Sequence, residues 1–284
     1  MGSNVSTAGR STSAEAGIVV IPRTPQDVIN EILDHLAVRS DLRSLRACAL
    51  VSKSWVLPCR RHLFHTVIIN SRNTKGWLRA FPVPEESPAY LVRELCVWIQ
   101  EGDVHVPEEF VKYALWFTNV EMVSLLGFGR SSLSQIRPAW RLSQSVTSLI
   151  VRTDTFTLAG VRDLLAQLPN LDDLLLSGHF SDNRAPLRIG TATMGRFGGR
   201  LQLLMGPAQE DVMNMLSEVP TGLRFTEVEI CCIYKSLAPT VKLADACAAT
   251  LVRLSYAIST HGKPRFPSGF LAPTLTPSLY CRRH

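Results

Sequence analysis

No stretch of this 284-residue chain approaches the roughly 18 consecutive apolar residues that a membrane-spanning helix needs. The apolar run at Ile18–Ile21 is far shorter than a signal-peptide core, which takes about 7–15 residues. A disulfide framework is not indicated either: the seven cysteines are odd in number and include no CxxC pair, which argues for reduced thiols. Catalytic signatures are equally scarce. There is no GxxxxGK[ST] phosphate loop and no GxSxG elbow, and Gly127-Phe128-Gly129-Arg130 lacks the third glycine of a dinucleotide loop. His62 and His65 have no carboxylate or further ligand near them in sequence, and Cys231 and Cys232 are adjacent, so neither pair suits a metal. These absences predict a soluble intracellular protein, cytoplasmic, nuclear or both, with no membrane span, no cofactor and no catalytic site. An enzyme would need a site of unrecognised type.

The chain is rich enough in apolar residues, at 46%, to bury a core, and its 284 residues allow one large domain or two unequal ones. The net charge of +6 is unevenly spread: +1 over residues 1–23, +3 over 24–72, −2 over 73–256 and +4 over 257–284. Phosphate binding needs basic groups gathered on one face, so nucleic acid is not an expected partner. Residues 1–17 are small and polar and cannot offset their ordering entropy, so a disordered segment over 1–20 is expected. Met1, Gly2 and Ser6 fit the loose pattern of an N-myristoylation signal, which a Ser- and Thr-rich segment matches easily. At the other end, Pro264, Pro267, Pro273 and Pro277 exclude a helix or central strand and define a Pro-rich basic tail over 260–284.

Residues 24–69 are the most informative. Thr24 and Pro25 read as the start of a helix, and Val28, Ile29, Ile32, Leu33 and Leu36 form its broad apolar stripe. Ser40 or Asp41 can cap a second helix with Leu42, Leu45, Ala49 and Leu50. Ser52 can cap a third, with Trp55, Cys59 and Leu63, that Pro58 should kink or restart. A short strand, Thr66–Ile69, follows. The first helix carries more apolar surface than two short neighbours can cover, which marks a partner groove or an adjoining domain.

Beyond residue 70 an apolar pattern at n, n+3 and n+5 recurs: Val92, Leu95, Val97; Val120, Val123, Leu125; Val146, Leu149, Val151; Leu171, Leu174, Leu176; Phe225, Val228, Ile230; Leu251, Leu254, Tyr256. Leu201 and Leu204 fill the gap in part, with Gly206 at the third position. Amphipathic helical segments lie between, around Phe110 and Val111, Leu158–Leu168, Val212–Val219 and Val241–Leu251. Repeated strand–helix units of about 20–29 residues stack because none buries its own apolar face. Side chains between the apolar ones face the opposite side of the strands. Trp98, Met122, Leu126 and Ile150, with Arg152 beside them, are more apolar than a solvated face requires and mark a candidate partner patch.

The order Pro25, Asp27-Val28, Ile32-Leu33, Leu36, Asp41-Leu42, Leu45, Cys48, Val51-Ser52-Lys53-x-Trp55 and Leu63-Phe64 resembles an F-box, with Thr24-Pro25 where family members have Leu-Pro. The region behind it, residues 70–259, resembles degenerate leucine-rich repeats: Gln100, Phe128, Asp154, His179, Ile233 and Ser259 stand where repeat members usually carry Asn or Cys. These resemblances imply an α/β or α+β chain: a three-helix F-box over 24–69, then an irregular solenoid of short parallel strands and helices. They imply a substrate-recognition adaptor of an SCF-type cullin–RING ubiquitin ligase. Pro25, Val28, Ile29, Ile32, Leu33, Leu36, Leu42, Leu45, Val51 and Trp55 would meet the ligase adaptor subunit, with Pro25, Val28, Leu36 and Leu42 preferred. The repeats would hold a target protein whose identity the sequence does not give. The alternative is an F-box-fold interaction scaffold acting outside a ligase.

Overall fold

The computed structural model describes residues 25–70, 72–99, 114–127, 144–180, 197–205, 209–218, 223–232 and 237–258. The expectations for residues 1–20, Thr24, the helix around Phe110 and Val111, Gly206 and the tail 260–284 lie outside these, as do Gln100, Phe128, Ile233 and Ser259. Among the described residues there are seven α-helices and one sheet of eight parallel strands.

Three helices open the chain: α1 (Gln26–Val38), α2 (Leu42–Cys48) and α3 (Lys53–Leu63). Pro25 takes the cap position of α1, one residue earlier than a first helical residue would stand. Asp41 caps α2 by accepting the Ser44 amide at 3.0 Å and the Ser44 hydroxyl at 2.6 Å. These bonds hold the Asp41 carboxyl below the usual carboxylate range. Ser52 caps α3. That helix runs through Pro58 as one element, so it does not restart there. The bond Pro58 cannot make would go to the carbonyl of Ser54, an exposed residue in the first turn, where water can replace it. Ile29, Leu33, Leu45 and Cys59 form a small closed core, ringed by Leu36, Leu42, Trp55 and Leu63. His62 meets Asp34 at 3.0 Å and ties α3 to α1.

The strands follow in chain order, and each pairs only with its neighbours in sequence. They are β1 (Thr66–Asn70), β2 (Glu94–Trp98), β3 (Met122–Leu126), β4 (Ser148–Phe156), β5 (Asp173–Phe180), β6 (Gly198–Met205), β7 (Arg224–Cys232) and β8 (Arg253–Ile258). Thr66, Glu94, Met122, Ser148, Asp173, Arg200, Glu227 and Arg253 stand side by side, at steps of 28, 28, 26, 25, 27, 27 and 26 residues. The row Val67, Leu95, Val123, Leu149, Leu174, Leu201, Val228 is buried, as is the row Ile69, Val97, Leu125, Val151, Leu176, Leu203, Ile230. Against these rows pack α5 (Leu158–Leu165) through Val161, Leu164 and Leu165, α6 (Gln209–Ser217) through Val212 and Leu216, and α7 (Ala238–Ala246) through Leu243. Each such Leu or Val contributes about 1.5–3 kcal/mol of transfer free energy. Because every apolar strand residue of these rows looks to the helix side, the alternate residues are left on the other side.

Some elements depart from the sequence expectations. α4 (Thr74–Ala80) and two 3-10 turns, Pro84–Glu86 and Pro88–Leu91, fill the link from β1 to β2. α7 stops at Ala246, short of Leu251; the Cys247 amide is shared between the Leu243 and Ala244 carbonyls, the tightening that ends a helix. In β6 the buried apolar residues are Leu201 and Leu203, with Phe197 just before the strand, while Leu204 belongs to the opposite face. The reason lies at Gly199: the Gly198 amide bonds the Leu171 carbonyl and the Arg200 amide the Asp172 carbonyl, so β6 spends one residue more than β5 there, and Phe197 stands four rather than three residues before Leu201.

Candidate functional site

Two surfaces carry the residues singled out from sequence. The first is the flank of α1. Successive helical residues turn by about 100°, so Val28 and Ile32 lie one turn apart, beside the core-facing line of Ile29 and Leu33. Val28 is 43% exposed and Ile32 44% exposed, and Pro25 and Val51 are exposed as well. Leu36, Leu42 and Trp55 are half-buried against the three-helix core. Ile29, Leu33 and Leu45 are buried in that core, where a rigid partner cannot reach them. The stripe seen in sequence is therefore two adjoining surfaces, one used internally and one left open.

The second surface is the open face of the sheet, where three rows run across the strands. One holds Thr66, Glu94, Met122, Ser148, Asp173, Arg200, Glu227 and Arg253; the middle row holds Ile68, Cys96, Ser124, Ile150, Leu175, Gln202, Glu229 and Ser255; the third holds Asn70, Trp98, Leu126, Arg152, Ser177, Leu204, Cys231 and Ala257. The register thus brings the five candidate residues together on β2, β3 and β4. Trp98, Leu126 and Arg152 are direct neighbours in one row, Met122 begins the same strand as Leu126, and Ile150 lies in the middle row between. Trp98 is 40% exposed. The apolar pattern alone does not put β1 or β6 in this face, so it misses Ile68, Arg200 and Gln202. The pair Gly198-Gly199, two residues before the next apolar residue, is the available sign of an inserted residue.

The face is unevenly divided. Ile68, Trp98, Met122, Leu126, Ile150 and Leu175 lie on β1 to β5, with Glu94 and Arg152 among them; β6 and β7 present Arg200, Gln202, Glu227 and Glu229, with Leu204 beside them. The Arg200 guanidinium lies 3.8 Å from Glu227 and 3.4 Å from Glu229, and the Gln202 amide donates to Glu229 at 2.9 Å. At the divide, Asp173 has its carboxyl held above the usual range by partial burial and by the charge of Asp172. Cys96, buried in the middle row, has its thiol pushed up to about 11 by burial, which keeps it protonated and unreactive at neutral pH. Among the described residues no group of three or more His, Cys, Asp or Glu side chains is placed to hold a metal ion.

The links between strands use polar side chains that no motif singles out. Asn119 donates to the Tyr90 carbonyl at 2.8 Å, Asn170 to the Gln144 carbonyl at 3.0 Å, Ser145 to the Val120 carbonyl at 2.8 Å and Thr250 to the Phe225 carbonyl at 3.2 Å. Each stands immediately before the first apolar residue of a unit, and each satisfies a carbonyl of the preceding unit. No protein-family model matches the chain, and no curated protein matches it.

Proposed function

We propose that this chain is a non-catalytic substrate-recognition adaptor of a cullin–RING ubiquitin ligase. In this reading α1–α3 form an F-box that docks on the ligase adaptor subunit, and the strand–helix units form a leucine-rich-repeat-like solenoid whose open face holds the target. The observation that carries the reading is the unburied α1 flank, Val28 and Ile32, on a three-helix unit whose own core is already closed by Ile29, Leu33, Leu45 and Cys59. Apolar surface left over after a core is complete gains only by meeting another chain. The sequential, all-parallel strand order at a 25–28 residue step supports the repeat half of the reading. The chain then supplies proximity and orientation, while bond making belongs to the ligase.

Co-purification with the ligase adaptor subunit tests this. A Val28→Asp, Ile32→Asp double variant should lose the adaptor, because two charges would be desolvated in the contact, yet melt within a few degrees of the parent since both side chains are exposed. Adaptor recovery at the parental level would remove the α1 flank as the contact and the ligase role with it.

A further inference from the structure

We propose that docking of α1–α3 on the ligase adaptor subunit is steered and oriented by charge. The partner presents carboxylates toward α2 and cations toward the Asp27–Glu31 edge of α1, on either side of the apolar contact with Val28 and Ile32. The inference rests on the proposed ligase role and adds the chemistry of the surface that α1 meets.

The three helices divide their charge. α1 carries Asp27, Glu31 and Asp34 and neither lysine nor arginine. From there to the end of α3 the chain carries Arg39, Arg43, Arg46, Lys53, Arg60 and Arg61 against one acid, Asp41. All of these cations are exposed, and no ion pair among the described residues involves any of them. Asp41 is engaged locally, accepting both the amide and the hydroxyl of Ser44, and offsets only part of the excess.

Helical geometry places the two signs on different sides of the open flank. Successive residues turn by about 100°, so Glu31 lies about 60° and Asp27 about 100° round α1 from Val28 on one side. On the other side Leu36 and Ile29 lie about 80–100° round and turn into the core. Asp34, about 120° round on the acidic side, meets His62 at 3.0 Å and so brings α3 to that side. α2 follows from the side of Leu36, whose carbonyl accepts the Asp41 amide at 3.0 Å. The flank of Val28 and Ile32 thus runs between a carboxylate edge and a helix that exposes Arg43 and Arg46, with Arg39 in the turn before it. Packed helices stand about 8–10 Å apart, close to the Debye length of about 8 Å at physiological salt. Charges on α2 therefore act on a partner approaching the α1 flank without having to touch it. Exposed charges that pair with nothing in the fold are free to raise the rate of encounter, and opposite signs flanking one apolar contact disfavour the reversed docking.

The experiment measures association and dissociation of the full chain and the ligase adaptor subunit by biolayer interferometry, from about 50 to about 500 mM NaCl. Association should slow at least about tenfold over that range while dissociation changes by less than about threefold. At the lowest salt, Arg43→Glu with Arg46→Glu should slow association at least about tenfold, and Asp27→Lys with Glu31→Lys should slow it about threefold or more. Both pairs should melt within a few degrees of the parent, because all four side chains are exposed. Arg43→Gln with Arg46→Gln, which adds no negative charge beside Asp41, should give an intermediate rate and keeps the test decisive if the glutamates weaken α2. Association indifferent to salt and to both arginine pairs would overturn the inference, as would faster association of the Asp27→Lys, Glu31→Lys variant; either result leaves adaptor binding, and with it the ligase role, in place. A parent chain that binds the adaptor at no salt concentration would remove the ligase role and the inference together.

Discussion

Asp173 shows how a single side chain can be placed against the interest of the fold. Partial burial, then the neighbouring charge of Asp172, raises its carboxyl pKa, with Glu227 adding to the rise and Arg200 opposing it. A carboxyl whose folded pKa lies above its unfolded value binds more protons when folded, so stability falls as pH rises through the carboxylate range and stays lower above it. Asp173→Asn removes the ionisable group. It is therefore expected to raise the melting temperature at pH 7, and the gain should vanish below about pH 3, where the parental carboxyl is protonated in both states. A variant equal to or less stable than the parent at pH 7 would contradict this account of the site. Two other residues point the opposite way. Burial pushes the thiols of Cys96 and Cys247 up to about 11, so neither should react with iodoacetamide at pH 7 until the chain is unfolded with urea; labelling in the native protein would show local opening, of β2 for Cys96 and of the end of α7 for Cys247.

At the scale of elements, periodicity made most of the architecture legible. The three-residue and two-residue steps of the apolar pattern located β2, β3, β4, β5, β7 and β8, because a strand buried on one face must alternate. The same logic failed at β6. There the Gly199 backbone has φ of +65°, and a Cβ added to it would meet the carbonyl oxygen of Asp172. That conformation admits one residue more than β5 has at the same place, breaks the three-step pattern and hides Phe197 and Leu203 from a fixed template. Gly127, with φ of +73°, makes a similarly close approach to the carbonyl of Ile99 at the end of β3. Gly199→Ala should therefore destabilise the chain by about 1–3 kcal/mol, through backbone strain and the displaced carbonyl together. Gly76, on α4, serves as the control, because a methyl added there would find no atom within 4 Å. Gly76→Ala should be neutral or stabilising by up to about 1 kcal/mol, as read from urea midpoints. Which residues of α1 stay open was only half legible. The stripe from Val28 to Leu36 is continuous in sequence, and only the packing of α2 and α3 decides that Ile29 and Leu33 are covered while Val28 and Ile32 are not.

At the scale of the whole molecule, each strand leans only on its neighbours, so the two ends of the sheet decide how unfolding begins. The β1 end is covered: Phe64, Trp77, Phe81 and Phe117 form an aromatic cluster there, with ring centroids of Trp77 and Phe81 5.1 Å apart, and Val67 and Ile69 are buried. The β8 end differs. Leu254 occupies the row in which Leu149, Leu174 and Leu201 are buried, yet it is 46% exposed. Opening should therefore start at β8 and move inward. Amide hydrogen exchange is expected to be fastest in β8, slower in β7 and slowest in β4 to β6, since the free energy of opening rises with the number of interfaces broken. Truncations follow the same gradient. Leu174→Ala should cost about 2–5 kcal/mol because it leaves a cavity between packed units, whereas Leu254→Ala, at a position already open to water, should cost about 1 kcal/mol or less. Equal protection in β8 and β5, or equal costs for the two leucines, would mean that something other than the described strands and helices closes that end.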